Sequence, residues 1–177
     1  MLPNLLRSLG VLSAILIFGI ASGQSQAQAP GEPLNFKELF PFVNIELNGW
    51  ERVGEPEGKT VKGTPMMMSQ AKAEYKSGDQ SLEITVVDSS FGPMAAMGMG
   101  LMKGMEVEST EESTKTIEVQ GFQAVETYKP KAKQGQLTIM VGNRFIVSLE
   151  GQGIDNIQVL KDVAEKIELK KLADIGQ

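Results

Sequence analysis

The stretch LTIMVGNRFIVSL, residues 137–149, decides the fold. Apolar side chains occupy every second position on both sides of a Gly-Asn pair: Leu137, Ile139, Val141, Phe145, Val147 and Leu149. A period of two is that of a β-strand with one buried face. Gly142 and Asn143 supply the positive φ values that tight hairpin turns require. The stretch therefore predicts a β-hairpin with a two-residue loop.

Two further hairpins are predicted upstream from the same alternation of apolar and polar side chains. Each consists of two alternating segments separated by turn-forming residues, which is the sequence signal of a hairpin. The predicted strand pairs are 66–76 with 82–87, around the turn at 77–80, and 114–119 with 122–128, around Gln120 and Gly121. Hairpin connections favour a mostly antiparallel sheet.

The ends of the domain are predicted to be helical. Residues 156–173 have apolar side chains at helical spacing after Asp155, a residue type that caps helices. Near the start, Asn35 is expected to cap a single turn over residues 36–40 that Pro41 interrupts. Residues 48–64 are rich in glycine and charge and predict a loop with one short strand at 50–53.

These elements predict an α+β fold. The expected domain has a mostly antiparallel sheet of about six strands, packed by a C-terminal amphipathic helix in a single two-layer domain. The predicted division is a signal peptide at 1–27, a leader with a short apolar helix at 28–47, and the α+β domain at 48–177.

The N-terminus is typical of a secretory signal. Arg7 precedes an apolar run at 9–21, which is too short to cross a bilayer as a helix. Ser25-Gln26-Ala27 fits the small-x-small cleavage pattern, and cleavage after Ala27 is favoured over Ala29 because Pro30 follows the latter. An uncleaved tether stays an alternative. The expected location is periplasmic or secreted, with no membrane span after cleavage.

Composition excludes several functions. The chain has no histidine and no cysteine, which removes histidine-based catalytic triads, thiolate nucleophiles and the commonest zinc ligands. Its formal charge is −5, and nucleic-acid binding needs a basic surface. We therefore expect neither an enzyme nor a nucleic-acid partner; a hydrolase using only carboxylates is the rival that stays open.

The order of elements resembles the exported α+β domains of the PsbP/Mog1-like type. The resemblance rests on Trp50, the paired central strands, Asp88 before an excursion, the hairpin at 143–145 and the closing helix. It covers most of residues 48–173 and includes no signature motif. It implies a binding or accessory role in place of catalysis, and it assigns no functional residue.

Methionines are concentrated in two short segments. Met66, Met67 and Met68 form a run, and five more lie within twelve residues: Met94, Met97, Met99, Met102 and Met105. Thioether sulfur suits Cu(I), so Met94, Met97, Met102 and Met105 are the candidate metal ligands. Packing against the sheet, or a flexible flap, explains the same pattern.

A methionine-rich surface also adapts to apolar partners. Trp50, Met66 and Met99 are the candidate partner-binding residues. The expected function is thus an exported, soluble, non-enzymatic binding or accessory module whose partner is a protein or small molecule of the cell envelope. No resident cofactor is expected, and a methionine-based Cu(I) binding or transfer protein is the alternative.

Overall fold

A computed structural model describes residues 32–63, 67–89 and 92–176. The predicted signal peptide, its cleavage site and Met66 lie outside these residues. The strands are β1 Glu51–Val61, β2 Met68–Ser77, β3 Gln80–Ser89, β4 Glu106–Glu108, β5 Ser113–Val119, β6 Phe122–Lys129, β7 Gln134–Val141 and β8 Phe145–Gln152. The helices are α1 Phe36–Val43, α2 Gly92–Leu101, α3 Gln158–Ala164 and α4 Leu169–Ile175. The fold class is α+β, as predicted.

One open sheet contains all eight strands in the order β1-β2-β3-β8-β7-β6-β5-β4. Every neighbouring pair is antiparallel. The chain builds one half as the meander β1-β2-β3, crosses to the far edge by way of α2, and returns as the meander β4 to β8. Pairing of β3 with β8 joins the two halves, so the quoted hairpin lies at the centre of the sheet.

The three predicted hairpins are confirmed. Ser77 pairs with Gln80, and Val119 pairs with Phe122. In the third hairpin Val141 pairs with Phe145, so its loop has three residues where the sequence predicted two. Gly142 and Asn143 both have positive φ, as expected. Arg144 is the third loop residue.

The core lies on one face of the sheet, beneath α1, α3 and α4. Alternate residues of the central strands point into it and are fully buried, among them Ile84, Ile139, Val147 and Leu149. Two paired glycines, Gly135 and Gly151, let α3 and the segment before it approach the sheet closely. A Cβ at either position would lie 2.8 Å from the Ile154 side chain.

The sheet has eight strands where about six were predicted, because β4 has no counterpart in the prediction and the short strand predicted at 50–53 is only the start of the longer β1. Strand β1 has eleven residues and is an edge strand. Most of its residues are exposed on both faces, so it lacks the apolar alternation by which a strand is recognised in a sequence. A bulge between Val53 and Glu57 interrupts the pairing with β2. Bulges, prolines and charges protect edge strands from pairing with other chains, and Pro56 and the flanking glutamates lie here.

The single C-terminal helix predicted at 156–173 is wrong. Two short helices, α3 and α4, replace it, and Ile157 stands at the N-cap of α3 while Asp155 pairs with Lys133. A straight helix that buries Ile167 would turn Leu169 away from the sheet, since two residues cover about 200°. The break lets both side chains enter the core, where each is almost completely buried.

Helix α1 begins as predicted and ends later. Asn35 accepts a hydrogen bond from the Lys37 backbone, and Glu38 closes a capping box. The helix continues past Pro41 to Val43, because burial of Phe42 and Val43 fixes the last turn against the sheet. The predicted leader thus packs into the same core as the domain. Among the described residues, no helix is long and apolar enough to span a membrane.

Candidate functional site

Helix α2 lies on the face of the sheet opposite α1, α3 and α4. Gln123 donates to the Met99 carbonyl at 2.9 Å, and the Thr116 hydroxyl donates to the Met102 carbonyl at 2.7 Å. Along their strands, Gln123 and Thr116 alternate with residues that point into the core. Their own side chains therefore point to the opposite face of the sheet. The helix packs against β6 and β7. The fold therefore has a helical element on each face, where the sequence predicted two layers.

The outer face of α2 is an exposed apolar stripe. Met94, Met97 and Leu101 follow the i, i+3, i+7 spacing of one helix face, with exposed fractions of 61%, 67% and 85%. Met105 and Val107, exposed at the adjoining sheet edge, extend it. We call these five residues the α2 surface. Helix α2 has no charged residue, so its inner and outer faces are both apolar.

Acidic side chains border the α2 surface where it meets the sheet edge. Glu118 is exposed on the α2 face of β5, and Glu106 and Glu108 are exposed on the edge strand β4, on the opposite face from Val107. Lys115 pairs with Glu106 at 2.6 Å, and this hydrogen bond raises the pKa of Lys115 above its ordinary value. Within the described chain, Glu108 and Glu118 have no ion-pair partner. The edge therefore presents excess negative charge beside apolar side chains.

The predicted metal ligands lie on different sides of α2 and its following turn. Met94 and Met97 are exposed on the outer face of the helix, Met102 is half-buried in the turn that follows it, and Met105 is exposed beyond the turn. Met99 is half-buried on the inner side. The assignment of these thioethers as copper ligands stays a prediction. In the described part of the chain, no group of three or more acidic residues could hold a metal ion.

Trp50 lies on the other side of the molecule from α2. It packs against the core beside Leu47 and lines a groove whose opposite wall is α3, with Val159, Asp162, Val163 and Lys166. The groove encloses about 280 Å³. The structure therefore does not bring Trp50 and the methionines into one surface, and the molecule has two separate candidate surfaces.

Asp88 and Arg144, both conspicuous in the sequence, form a buried ion pair. Asp88 is 2% exposed and accepts two hydrogen bonds from Arg144, each 2.8 Å long, and one from the Leu34 backbone. The hydrogen bonds to Asp88 raise the pKa of Arg144. Arg144 also donates to the carbonyls of Glu32 and Gly176. These groups satisfy each other, and the pair connects Glu32 and Gly176 to the sheet.

No family model, curated protein or solved structure matches the chain. The resemblance to PsbP/Mog1-like domains therefore stays a prediction.

Sequence reasoning found Trp50 but missed the residues that face it across the groove. Asp162 and Lys166 belong to the polar side of a predicted helix, and such side chains usually face solvent only. Their four-residue spacing places them on one helix face, which was the available signal. The tertiary contact that brings this face to Trp50 depends on the loop between α1 and β1.

Proposed function

We propose that this protein is an exported, non-enzymatic binding module that holds an apolar segment of a protein partner on the α2 surface. The observation that carries the proposal is the outward exposure of Met94, Met97 and Leu101 on one helix face. Large apolar side chains grouped on the surface of a folded domain mark interaction sites. Unbranched methionine side chains adapt their shape to a partner at small cost.

The size of the surface indicates what kind of partner it can hold. Helix α2 has ten residues and is roughly 15 Å long. One face of such a helix buries much less than the roughly 800 Å² per partner of a stable interface. The partner segment must therefore extend past the helix, over Met105 and Val107, to the edge strand β4.

Charge gives the partner a second property. The extended segment would pass Glu118 on the α2 face and end at the edge strand β4, where Glu106 and Glu108 are exposed on the opposite face of the sheet. Complementary charge raises association rates and selects partners. We therefore propose an apolar segment with lysine or arginine at the end that lies near β4.

Export is the part of the proposal that depends on the sequence. The apolar run at 9–21 and the cleavage pattern ending at Ala27 support it. Intact mass measurement of the protein from the envelope and secreted fractions tests it. A chain that begins at Gln28 supports export with cleavage. A full-length chain confined to the cytoplasm would contradict export.

The partner is tested by photo-crosslinking in cells that produce the full chain. Benzoylphenylalanine at position 97 should give one dominant protein adduct, with the cross-link in an apolar segment carrying basic residues. The matched control is the same group at Gln136, which is exposed on the polar part of the same sheet face. Leu101→Asp should abolish the adduct at position 97, and equal adducts at both positions would contradict the proposal.

Copper binding is the second candidate, supported by two exposed thioethers one turn apart, Met94 and Met97. The double variant Met94→Leu and Met97→Leu separates the two functions. Leucine keeps the apolar surface and removes the sulfur, so protein docking should persist while Cu(I) binding is lost. Native mass spectrometry during anaerobic Cu(I) titration measures the second quantity. A stoichiometric adduct that survives a competing chelator, and that the double variant loses, would favour copper.

A further inference from the structure

The groove beside Trp50 has an apolar floor and a polar rim. Leu47, Trp50, Val159 and Val163 form the apolar part. Asn48, Gln80, Asp162 and Lys166 provide the polar groups at its edge. Pockets that bind small molecules share this composition, a mostly apolar lining with a few placed polar groups.

The indole of Trp50 is available to a ligand. Trp50 is half-buried, and its backbone N–H donates to the Leu47 carbonyl at 3.1 Å, which fixes the loop that carries it. Among the described residues, its indole N–H donates to no protein group and is not sealed from solvent. Buried indole N–H groups usually have a partner. Trp50 therefore lines the groove with part of its ring accessible and its indole donor unused by the described residues.

The rim combines donors and acceptors without net charge. Asp162 accepts a hydrogen bond from Gln158 at 2.8 Å and has acceptor capacity left. Lys166 forms no ion pair within the described chain and offers three donors. The amides of Asn48 and Gln80 both donate and accept. Such a rim suits an uncharged ligand with several hydroxyl groups more than an ion of either sign.

We propose that this groove is a saccharide-binding site. A pyranose ring has an apolar C–H face, which would stack on the Trp50 indole, and equatorial hydroxyls, which would meet Asp162, Lys166 and the two amides. The groove is open, and its volume of about 280 Å³ suits one sugar ring stacked on the indole. This inference is independent of the α2 surface, which lies on the opposite face of the sheet.

The chain contains one tryptophan, so its fluorescence reports on this groove alone. Protein purified from cells producing the full chain is titrated with chitotriose, maltotriose and cellotriose, and with the zwitterionic dipeptide Ala-Ala. At least one trisaccharide should give a saturable change in emission, and the dipeptide should give none. Isothermal calorimetry provides a measurement that does not depend on the fluorophore.

A rim variant and a conservative Trp50 variant keep the test valid if Trp50→Ala fails to fold. Asp162→Asn should weaken saccharide binding about tenfold, the effect of one lost charge-assisted hydrogen bond. The matched control is Asp174→Asn, which changes an exposed aspartate on α4 outside the groove and should leave affinity unchanged. Trp50→Phe should retain part of the affinity by stacking.

Three outcomes would overturn the proposal: no saturable change with any trisaccharide, equal affinity in Asp162→Asn and the wild type, or binding of the dipeptide in preference to sugars. The last would reassign the groove to zwitterionic ligands recognised by Asp162 and Lys166 together.

Discussion

At the scale of single residues, Arg144 and Asp88 hold four separate segments together. Their ion pair joins the end of β3 to the β7–β8 turn, and Arg144 adds contacts to Glu32 and Gly176 near the two ends of the described chain. The partners are 56 positions apart in sequence. The sequence indicated that Asp88 was special, but only the sheet topology could identify its partner.

Removing Arg144 should strongly destabilise the fold. Arg144→Ala leaves the Asp88 carboxylate buried with a single backbone donor, from Leu34. Loss of one member of a buried pair costs about 3–5 kcal/mol of unfolding free energy. Urea denaturation followed by fluorescence measures it. The control Asp155→Ala breaks the exposed pair with Lys133 and should leave the midpoint almost unchanged; equal shifts would contradict the assignment.

Tyr75 should make stability fall at alkaline pH. Its hydroxyl donates to the Val43 carbonyl and accepts from the Ile45 backbone at 3.0 Å, which anchors the end of α1. Burial raises the pKa of Tyr75 above its ordinary value, against the smaller opposing effects of the Ile45 hydrogen bond and Arg52. A raised folded-state pKa contributes stability that is present below about pH 10 and is lost as pH rises further.

The measurement compares unfolding free energy against pH for the wild type and Tyr75→Phe. The wild type should lose stability more steeply above pH 10, since paired lysines contribute equally to both curves. Absorbance titration of Tyr128→Phe, which leaves Tyr75 as the single tyrosine, should give a pKa above the ordinary value. Superimposable slopes in the two proteins would refute the linkage.

At the scale of elements, the sequence predicted those whose apolar pattern is complete. The central hairpins have one buried face each, and their register follows from it. The sequence predicts only the start of β1, at 50–53, because an edge strand exposed on both sides has no such pattern. The local sequence does not predict the break between α3 and α4, because a distant residue stabilises it. The side chain of Gln120, 44 positions before Ala164, donates to the Ala164 and Ile167 carbonyls, each at 2.9 Å.

Helix α2 should be stabilised by alanine at two of its glycines. A Cβ at Gly98 or Gly100 would meet no atom within 4 Å, so packing does not require glycine at either position. Glycine in a helix costs up to about 1 kcal/mol relative to alanine. Gly98→Ala and Gly100→Ala should therefore slow amide hydrogen exchange in residues 94–101.

The matched control is Gly92→Ala. A Cβ there would lie 2.6 Å from the Arg144 carbonyl oxygen, so this substitution should lower the thermal midpoint. If Gly98→Ala and Gly100→Ala lower it as well, α2 does not have the open outer face on which the partner proposal rests.

At the scale of the whole molecule, the sheet separates the two candidate surfaces. The Trp50 groove lies on the α3 face near the β2–β3 turn, and α2 lies on the opposite face, beginning beside Arg144. This separation does not follow from the sequence pattern, because it arises where the chain crosses from β3 through α2 to β4 at the far edge of the sheet. A module with this arrangement can hold a saccharide and a protein at the same time.

The two surfaces should therefore bind independently. Sites that share no partner and lie well apart change free energy additively, within about 0.5 kcal/mol. Asp162→Asn should leave the cross-linked adduct at position 97 unchanged, and Leu101→Asp should leave the fluorescence titration with saccharide unchanged. Measuring both quantities in both variants completes the cycle. If either variant altered both, the sheet would be transmitting a structural change between its faces, and one binding event would regulate the other.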